Sequence, residues 1–373
     1  MYLTRPEYSL SYSLVMRRTI CVLLTFAVLL AGCFSGRHSR GDSIKIQGAG
    51  STFINPLMQK WVHEFGALEP SIKIDYQSIG SGGGIKQVKE KTIQFGATDV
   101  AMSDEDLRSA PGELLHIPVI LGAVVLTYNL DSVKETLRFS PETIADIFLG
   151  KITRWDDERI KADNPGVEMP SVELTVVHRS DGSGTSAVFT NYLAKVSPEW
   201  KEKVGEGTSP AWPVGLGGKG NEGVTGQVKQ TPNTIGYVEL AYAVKNKLPV
   251  AQIKNSSGNF ITPDFRTVTN AAAESVDTAP EDLRFTITNA KGADAYPISS
   301  YVFILIYRDQ QQRNLGAALV DFLTWGLNDG QKHAQPLYYA PLPAEMVRRS
   351  TAKLAEVNFQ GEQLLGSMSK ESR

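Results

Sequence analysis

Three times between residues 43 and 194, a short alternating stretch runs into a glycine-rich turn that opens a helix. Ser43-Ile44-Lys45-Ile46-Gln47 alternates as a strand, and Gly48-Ala49-Gly50-Ser51-Thr52-Phe53 turns. Residues 54–65 then carry helical spacing, with Leu57, Trp61 and Phe65 on one face. Pro56 is tolerated in the first turn, and Ser51-Thr52 reads as the cap. Ile72-Lys73-Ile74-Asp75-Tyr76 leads likewise through Ile79-Gly80-Ser81-Gly82-Gly83-Gly84 into a helix over 85–92. In the third unit Val172, Leu174 and Val176 alternate with Glu173, Thr175 and Val177, and Asp181-Gly182 breaks the chain. Val188, Phe189, Tyr192 and Leu193 form the stripe of the helix that follows. Strands alternating with helices argue for parallel α/β sheets, whose ligands sit at the carboxyl ends of the strands.

The turns share a chemistry. Ser183, Gly184, Thr185 and Ser186 stand at a helix start, where backbone N–H groups are unpaired, the dipole is positive and small residues let a ligand approach. Arg179 lies just upstream, with a fork of donors suited to an oxyanion. A smaller unit places Phe95-Gly96-Ala97-Thr98-Asp99 at a strand end, with Ser103 capping a helix. Three hydroxyl-bearing turns, one arginine and Asp99 point to an oxyanion held by helix N-termini.

Two apolar runs, 119–128 and 301–307, are too short to span a bilayer as helices and read as buried strands. They flank the central segment, so a second lobe inserted into the first is expected, with two crossovers as a hinge. The expected lobes are 44–122 with 298–373, and 123–297. The C-terminus reads as two helices, and the tail after Gln360 as disordered.

The amino end reads as an export signal over 1–32. Arg17-Arg18 precedes the apolar stretch 20–30, and Leu30-Ala31-Gly32-Cys33 resembles the bacterial lipobox, in which the cysteine is lipidated. Met16 stands directly before Arg17, so residues 1–15 read as an over-extended start. Residues 33–43 read as a tether. Cleavage before Cys33 removes three arginines and one glutamate, taking the net charge from −2 to about −4. It also removes Cys21, leaving one cysteine and no disulfide. With that charge, bulk electrostatics give no reason to expect nucleic acid, and local donors must hold any anion.

Other chemistries fit poorly. Gly215-x-Gly217-x-x-Gly220, with Glu239 downstream, matches a dinucleotide fingerprint formally. The helix it should open would be only a few residues long, broken by Gly223 and Gly226. Gly182-Ser183-Gly184 is no nucleophile elbow, because Asp181 stands where the leading glycine belongs. His38, His63, His116, His178 and His333 have no ligand spacing, and no metal or cofactor is expected.

Taken together, Gly48 to Phe53, Tyr76-Gln77-Ser78-Ile79-Gly80-Ser81-Gly82-Gly83, Phe95 to Asp99, Leu149-Gly150-Lys151-Ile152-Thr153-Arg154-Trp155-Asp156-Asp157, Arg179 to Ser186 and Trp212 to Gly223 resemble the periplasmic phosphate-binding proteins of bacterial phosphate ABC transporters. The resemblance covers residues 44–350. It implies an α/β, two-lobed periplasmic-binding-protein fold of type II that closes on its ligand in the interlobe cleft. Its ligand positions fall on Thr52, Phe53 (through its N–H), Ser81, Asp99, Arg179, Ser183, Gly184 and Thr185, with Asp181 pairing the arginine. Ser51 stands where alanine is commoner in that family and Gly82 where a second serine often is; neither has an assigned contact. The implied partners are inorganic phosphate and permease subunits with a cytoplasmic ATPase. The implied protein is a monomeric, membrane-anchored lipoprotein outside the cytoplasm, and not an enzyme. A carboxylate at Asp99 beside a bound anion makes sense as acceptor from an anion that still carries a proton. Phosphate fits that description and sulfate does not. The alternatives are an exported phosphomonoesterase using Ser183, and a binding protein for sulfate or molybdate.

Overall fold

The computed structural model describes residues 43–366, with Tyr2 alone ahead of them. The expected signal, the lipobox at Cys33 and nearly all of the tether lie outside the described residues.

The order is β1 (Ile44–Gly50), α1 (Asn55–Leu68), β2 (Ile72–Ser78), α2 (Ser81–Lys89), β3 (Phe95–Thr98), α3 (Asp104–Arg108) and β4 (Leu114–Asn129). There follow β5 (Arg138–Phe139), α4 (Pro141–Phe148), α5 (Glu158–Asp163), β6 (Thr175–Arg179), α6 (Gly184–Val196) and α7 (Pro198–Lys203). Next come β7 (Leu216–Gly218), α8 (Gly220–Gln230), β8 (Thr234–Glu239), α9 (Leu240–Lys245), β9 (Gln252–Lys254), β10 (Phe260–Ile261) and α10 (Phe265–Thr278). The chain closes with β11 (Ser299–Tyr307), α11 (Arg313–Leu327), α12 (Ala344–Leu354), β12 (Asn358–Phe359) and β13 (Glu362–Gln363).

One eight-stranded sheet carries the site, in the order β2-β1-β3-β11-β4-β8-β6-β7. Its two ends are parallel: β1 pairs with β2 and β3, and β6 with β7 and β8. Its middle is antiparallel, because β11 pairs with both β3 and β4, and β4 with β8. The two apolar runs of the sequence are therefore neighbours in the centre of the sheet. β4 starts at Leu114, earlier than hydropathy suggests, since His116 and Pro118 interrupt the apolar pattern but are buried all the same. Layers of side chains cover both faces, which is why the strand reads as continuous rather than alternating.

At Val302/Phe303 the β4–β11 register slips by one residue, leaving Val119 as a bulge beside Pro118, which has no N–H to give the ladder. Neighbouring side chains take the carbonyls this frees: Gln331 Nε2 donates to Val119 O at 2.9 Å and Ser350 Oγ to Pro118 O at 2.8 Å.

Three local expectations need correcting. Helix α1 starts at Asn55 with Ile54 as its N-cap and no side-chain cap, so Ser51 and Thr52 are free for other partners. Helix α8 runs eleven residues straight through Gly223 and Gly226. Packing overrides the glycine penalty there, and a Cβ on Gly223 would lie 3.1 Å from the Gly218 backbone. Residues 361–366, beyond Gln360, are structured: β13 pairs with β12, and Leu364 is buried.

Candidate anion site

Each turn is shaped by close backbone approach. Gly50 has φ +138°, and a Cβ there would lie 2.2 Å from Ala97 O. The N–H groups of Ile79 and Gly80 both donate to Gly50 O, at 3.0 and 2.8 Å, so the first two turns are tied together. The second turn meets the third through Gly82 N–H, which donates to Gly182 O at 2.9 Å. A Cβ on Gly184 would lie 2.2 Å from Ser81 Oγ and 2.4 Å from Asp99 Oδ2, so the start of α6 presses directly on the start of α2 and on the residue after β3. Gly184→Ala should therefore force these elements apart. We expect roughly 1–3 kcal/mol lost from anion affinity, as for other overpacked interiors. Unchanged affinity by calorimetry would show that this approach is not needed.

Thr52, Phe53, Ser81, Asp99, Arg179, Ser183 and Thr185 are all buried. Arg179 holds Asp181 in a fork, Nε to Oδ1 at 2.8 Å and Nη2 to Oδ2 at 2.6 Å, and its Nη1 donates to Thr185 Oγ1 at 3.3 Å. Burial pushes the Asp181 carboxyl up, but the Arg179 fork and the Gly220 N–H outweigh it and hold the group below its ordinary value. Ser183 caps α6 by accepting from Ser186 N–H at 3.0 Å, and its own N–H goes to Thr208 O.

Asp99 ends β3. Its Oδ1 accepts from the Ser51 hydroxyl, while its buried Oδ2 has no hydrogen-bond partner. Burial pushes the carboxyl up to about 7, against the pull of Ser51, Arg179, Ser81 and Thr185. A buried carboxylate oxygen without a partner is costly unless something completes it.

The Phe53 N–H, expected to face the anion, has a partner within the first turn. It donates to Ser51 Oγ at 3.0 Å, and the Phe53 ring is in the core, 6.4 Å from that of Tyr339. Ser51, which had no assigned contact, thus joins Asp99 to the first turn.

The site also includes residues that the sequence pattern does not single out. Asn221, at the start of α8, donates from Nδ2 to Thr52 Oγ1 at 2.7 Å and to Thr185 Oγ1 at 3.2 Å. Gly220 N–H donates to Asp181 Oδ1 at 2.9 Å. A fourth strand–turn–helix unit, β7 to α8, therefore reaches the same point. Its sequence signal is the glycine-rich 215–220 stretch, which fails as a dinucleotide fingerprint but lies within the Trp212–Gly223 stretch that carries the family resemblance. Behind the first turn, Tyr242 Oη donates to Thr52 O at 2.7 Å and Tyr339 Oη to Phe53 O at 2.6 Å. Tyr339 Oη also lies 3.3 Å from Glu239 Oε2. Burial pushes the Glu239 carboxyl well above its ordinary value, against the pull of the Ala241 N–H and Tyr339.

His178 stacks on Trp212, centroids 5.1 Å apart, and His116 accepts from Met102 N–H. Among the described residues, no group of three or more His, Cys, Asp or Glu could hold a metal ion, and no helix is long and apolar enough to cross a membrane.

The strand order and the strand-end site define the two-lobed, type II periplasmic-binding-protein fold, and the family model of the PBP superfamily domain matches residues 35–329. A high-affinity periplasmic phosphate-binding protein, PfluDING, solved with phosphate bound, superposes with a TM-score of 0.65 at 18% identity, covering 83% of this chain and 93% of that one. An ABC-type phosphate transport receptor from Vibrio cholerae gives 0.52 at 16% identity, covering 80% and 100%. Within the superfamily the chain belongs to the phosphate-binding proteins. It is 45% identical over 311 residues to the phosphate-binding protein PstS of Xylella fastidiosa strain 9a5c, covering 83% of this chain and 85% of that protein. It is 42% identical over 328 residues to the PstS of Pasteurella multocida, covering 88% and 94%.

Proposed function

We propose that the chain binds inorganic phosphate outside the cytoplasmic membrane and delivers it to an ABC permease for import. The observation that carries this is the convergence of four helix starts on Arg179 and on the unpartnered Oδ2 of Asp99. Helix N-termini, hydroxyls and one arginine supply donors, and a lone acceptor oxygen suits an anion that carries a proton. In this reading Thr52, Ser81, Arg179, Ser183, Gly184 and Thr185 donate, Phe53 turns its N–H from Ser51 to the anion, and Asp99 accepts. Asp181 trims the charge of Arg179, so neutral dipoles carry much of the binding. Lobes of 44–122 with 298–373 and of 123–297 close over the ligand, and the closed surface is what the permease recognises. The protein acts as a monomer held to the membrane by lipid on Cys33, and it performs no catalysis. The names and bound ligand of its relatives support the substrate and the transporter role.

Titration of the chain beginning after Cys33, followed by the fluorescence of its five tryptophans, tests this. Micromolar or tighter phosphate binding, as an order of magnitude for a site of this kind, is expected, with no response to sulfate at about pH 8.5. Binding of neither anion would overturn the reading, and turnover of a phosphomonoester would replace it with a hydrolase.

A further inference from the structure

The Asn221 side chain is fixed without ambiguity. Glu239 N–H, which can only donate, points at Asn221 Oδ1 at 2.9 Å, so the amide nitrogen must face the other way. That nitrogen meets the Thr52 and Thr185 hydroxyls. The backbone N–H of Asn221 also donates to Thr52 Oγ1, at 3.3 Å, and Arg179 Nη1 donates to Thr185 Oγ1. A threonine hydroxyl has two lone pairs and one proton. At each threonine both lone pairs are now taken by groups that can only donate.

From this we infer that Asn221 is a positioning residue that sets the polarity of the anion site. By occupying the lone pairs of Thr52 and Thr185, it obliges both hydroxyls to donate their protons to the acceptor in front of them. It rests on the reading of the site as a phosphate site. A hydroxyl left to itself can rotate and serve an acceptor or a donor. These two cannot. The consequence is a site that selects bare oxygens at two corners of its ligand and tolerates a proton only where Asp99 stands. Asn221 touches no ligand in this scheme and acts wholly through the two threonines.

The test is a ranking of variants measured by calorimetry with inorganic phosphate on the full-length chain in detergent. Asn221→Ala removes the amide and frees the hydroxyls, and about a tenfold loss of affinity is expected. Asn221→Asp keeps the shape but turns a donor into an acceptor, drawing both threonine protons away from the ligand. A loss of about 100-fold or more is expected. A purely space-filling role predicts the opposite order, with the isosteric aspartate nearer wild type, and that order would overturn the inference. If Asn221→Asp does not fold by circular dichroism, a cycle of Asn221→Ala with Thr52→Val decides. The alanine change should cost at least threefold less in the valine background, and fully additive losses would overturn the inference. A wild-type chain that binds no phosphate removes the underlying functional reading instead, which separates the two failures.

Discussion

Asp99→Asn should bind sulfate at about pH 8.5 while still binding phosphate. Asp99 is almost fully buried, with Oδ1 satisfied by Ser51 and Oδ2 without a partner. Facing a fully deprotonated oxyanion, the ionised carboxylate sets acceptor against acceptor, a mismatch costing several kcal/mol when both are buried. Asparagine offers an N–H₂ in the same volume and removes the mismatch. The sign of the pH dependence follows. Burial raises the Asp99 carboxyl to about 7, so it is protonated below that pH and can itself donate. Wild-type affinity for sulfate should rise as pH falls through about 7 and drop about tenfold for each pH unit above it, whereas that of Asp99→Asn should be flat over the same range. The ligand-free fold binds this proton more tightly than the unfolded chain does. The stability contributed by Asp99 is therefore complete below its ordinary range, declines as pH rises to about 7 and is level beyond. Sulfate competition at pH 6 and pH 8.5 (on either side of that value) measures the effect. A variant from which sulfate still fails to displace phosphate would remove the proton-reading role.

Arg179→Ala should weaken phosphate binding by roughly 2–5 kcal/mol, or about 30-fold to several thousand-fold. The guanidinium side chain is 1% exposed, and its removal does two things. It takes away the cation of the site, and it leaves the Asp181 carboxylate beside the anion with only Gly220 N–H to hold it. The second effect can be isolated. Arg179→Ala combined with Asp181→Asn should recover part of the loss, because the uncompensated negative charge is gone. Calorimetry on the single and double variants checks both statements. Wild-type affinity in the single variant would place the functional arginine elsewhere.

Much of this arrangement is legible in the residues. Glycines beside hydroxyls at a strand end have few other uses, so the turns at Gly50, Gly80 and Gly182 stand out from periodicity alone. Asn221 does not. Its helix carries two glycines that local propensity counts as breaks, and only the packing of α8 on the sheet restores them. Ser51 hides for another reason: its partner lies 48 residues away, and the bond to Asp99 exists only once β1 and β3 are neighbours. The tyrosines that fix the first turn are further still. Tyr339 reaches Phe53 across 286 residues, a distance no motif spans. The Phe53 N–H, expected to face the anion, is bonded to the Ser51 hydroxyl two residues before it.

The place of β11 has a kinetic consequence. It is the last long strand to be made, yet it lies between β3 and β4, which end about 200 and 170 residues before it. Until residues 299–307 arrive, β3 and β4 each present an open hydrogen-bonding edge of buried-type sequence, the kind of surface that pairs with other chains. The middle of the sheet must therefore close late, through contacts of high sequence separation. Any chain halted before Ser299 holds every turn of the site and no seam to join them. Such fragments should aggregate rather than fold into half a receptor.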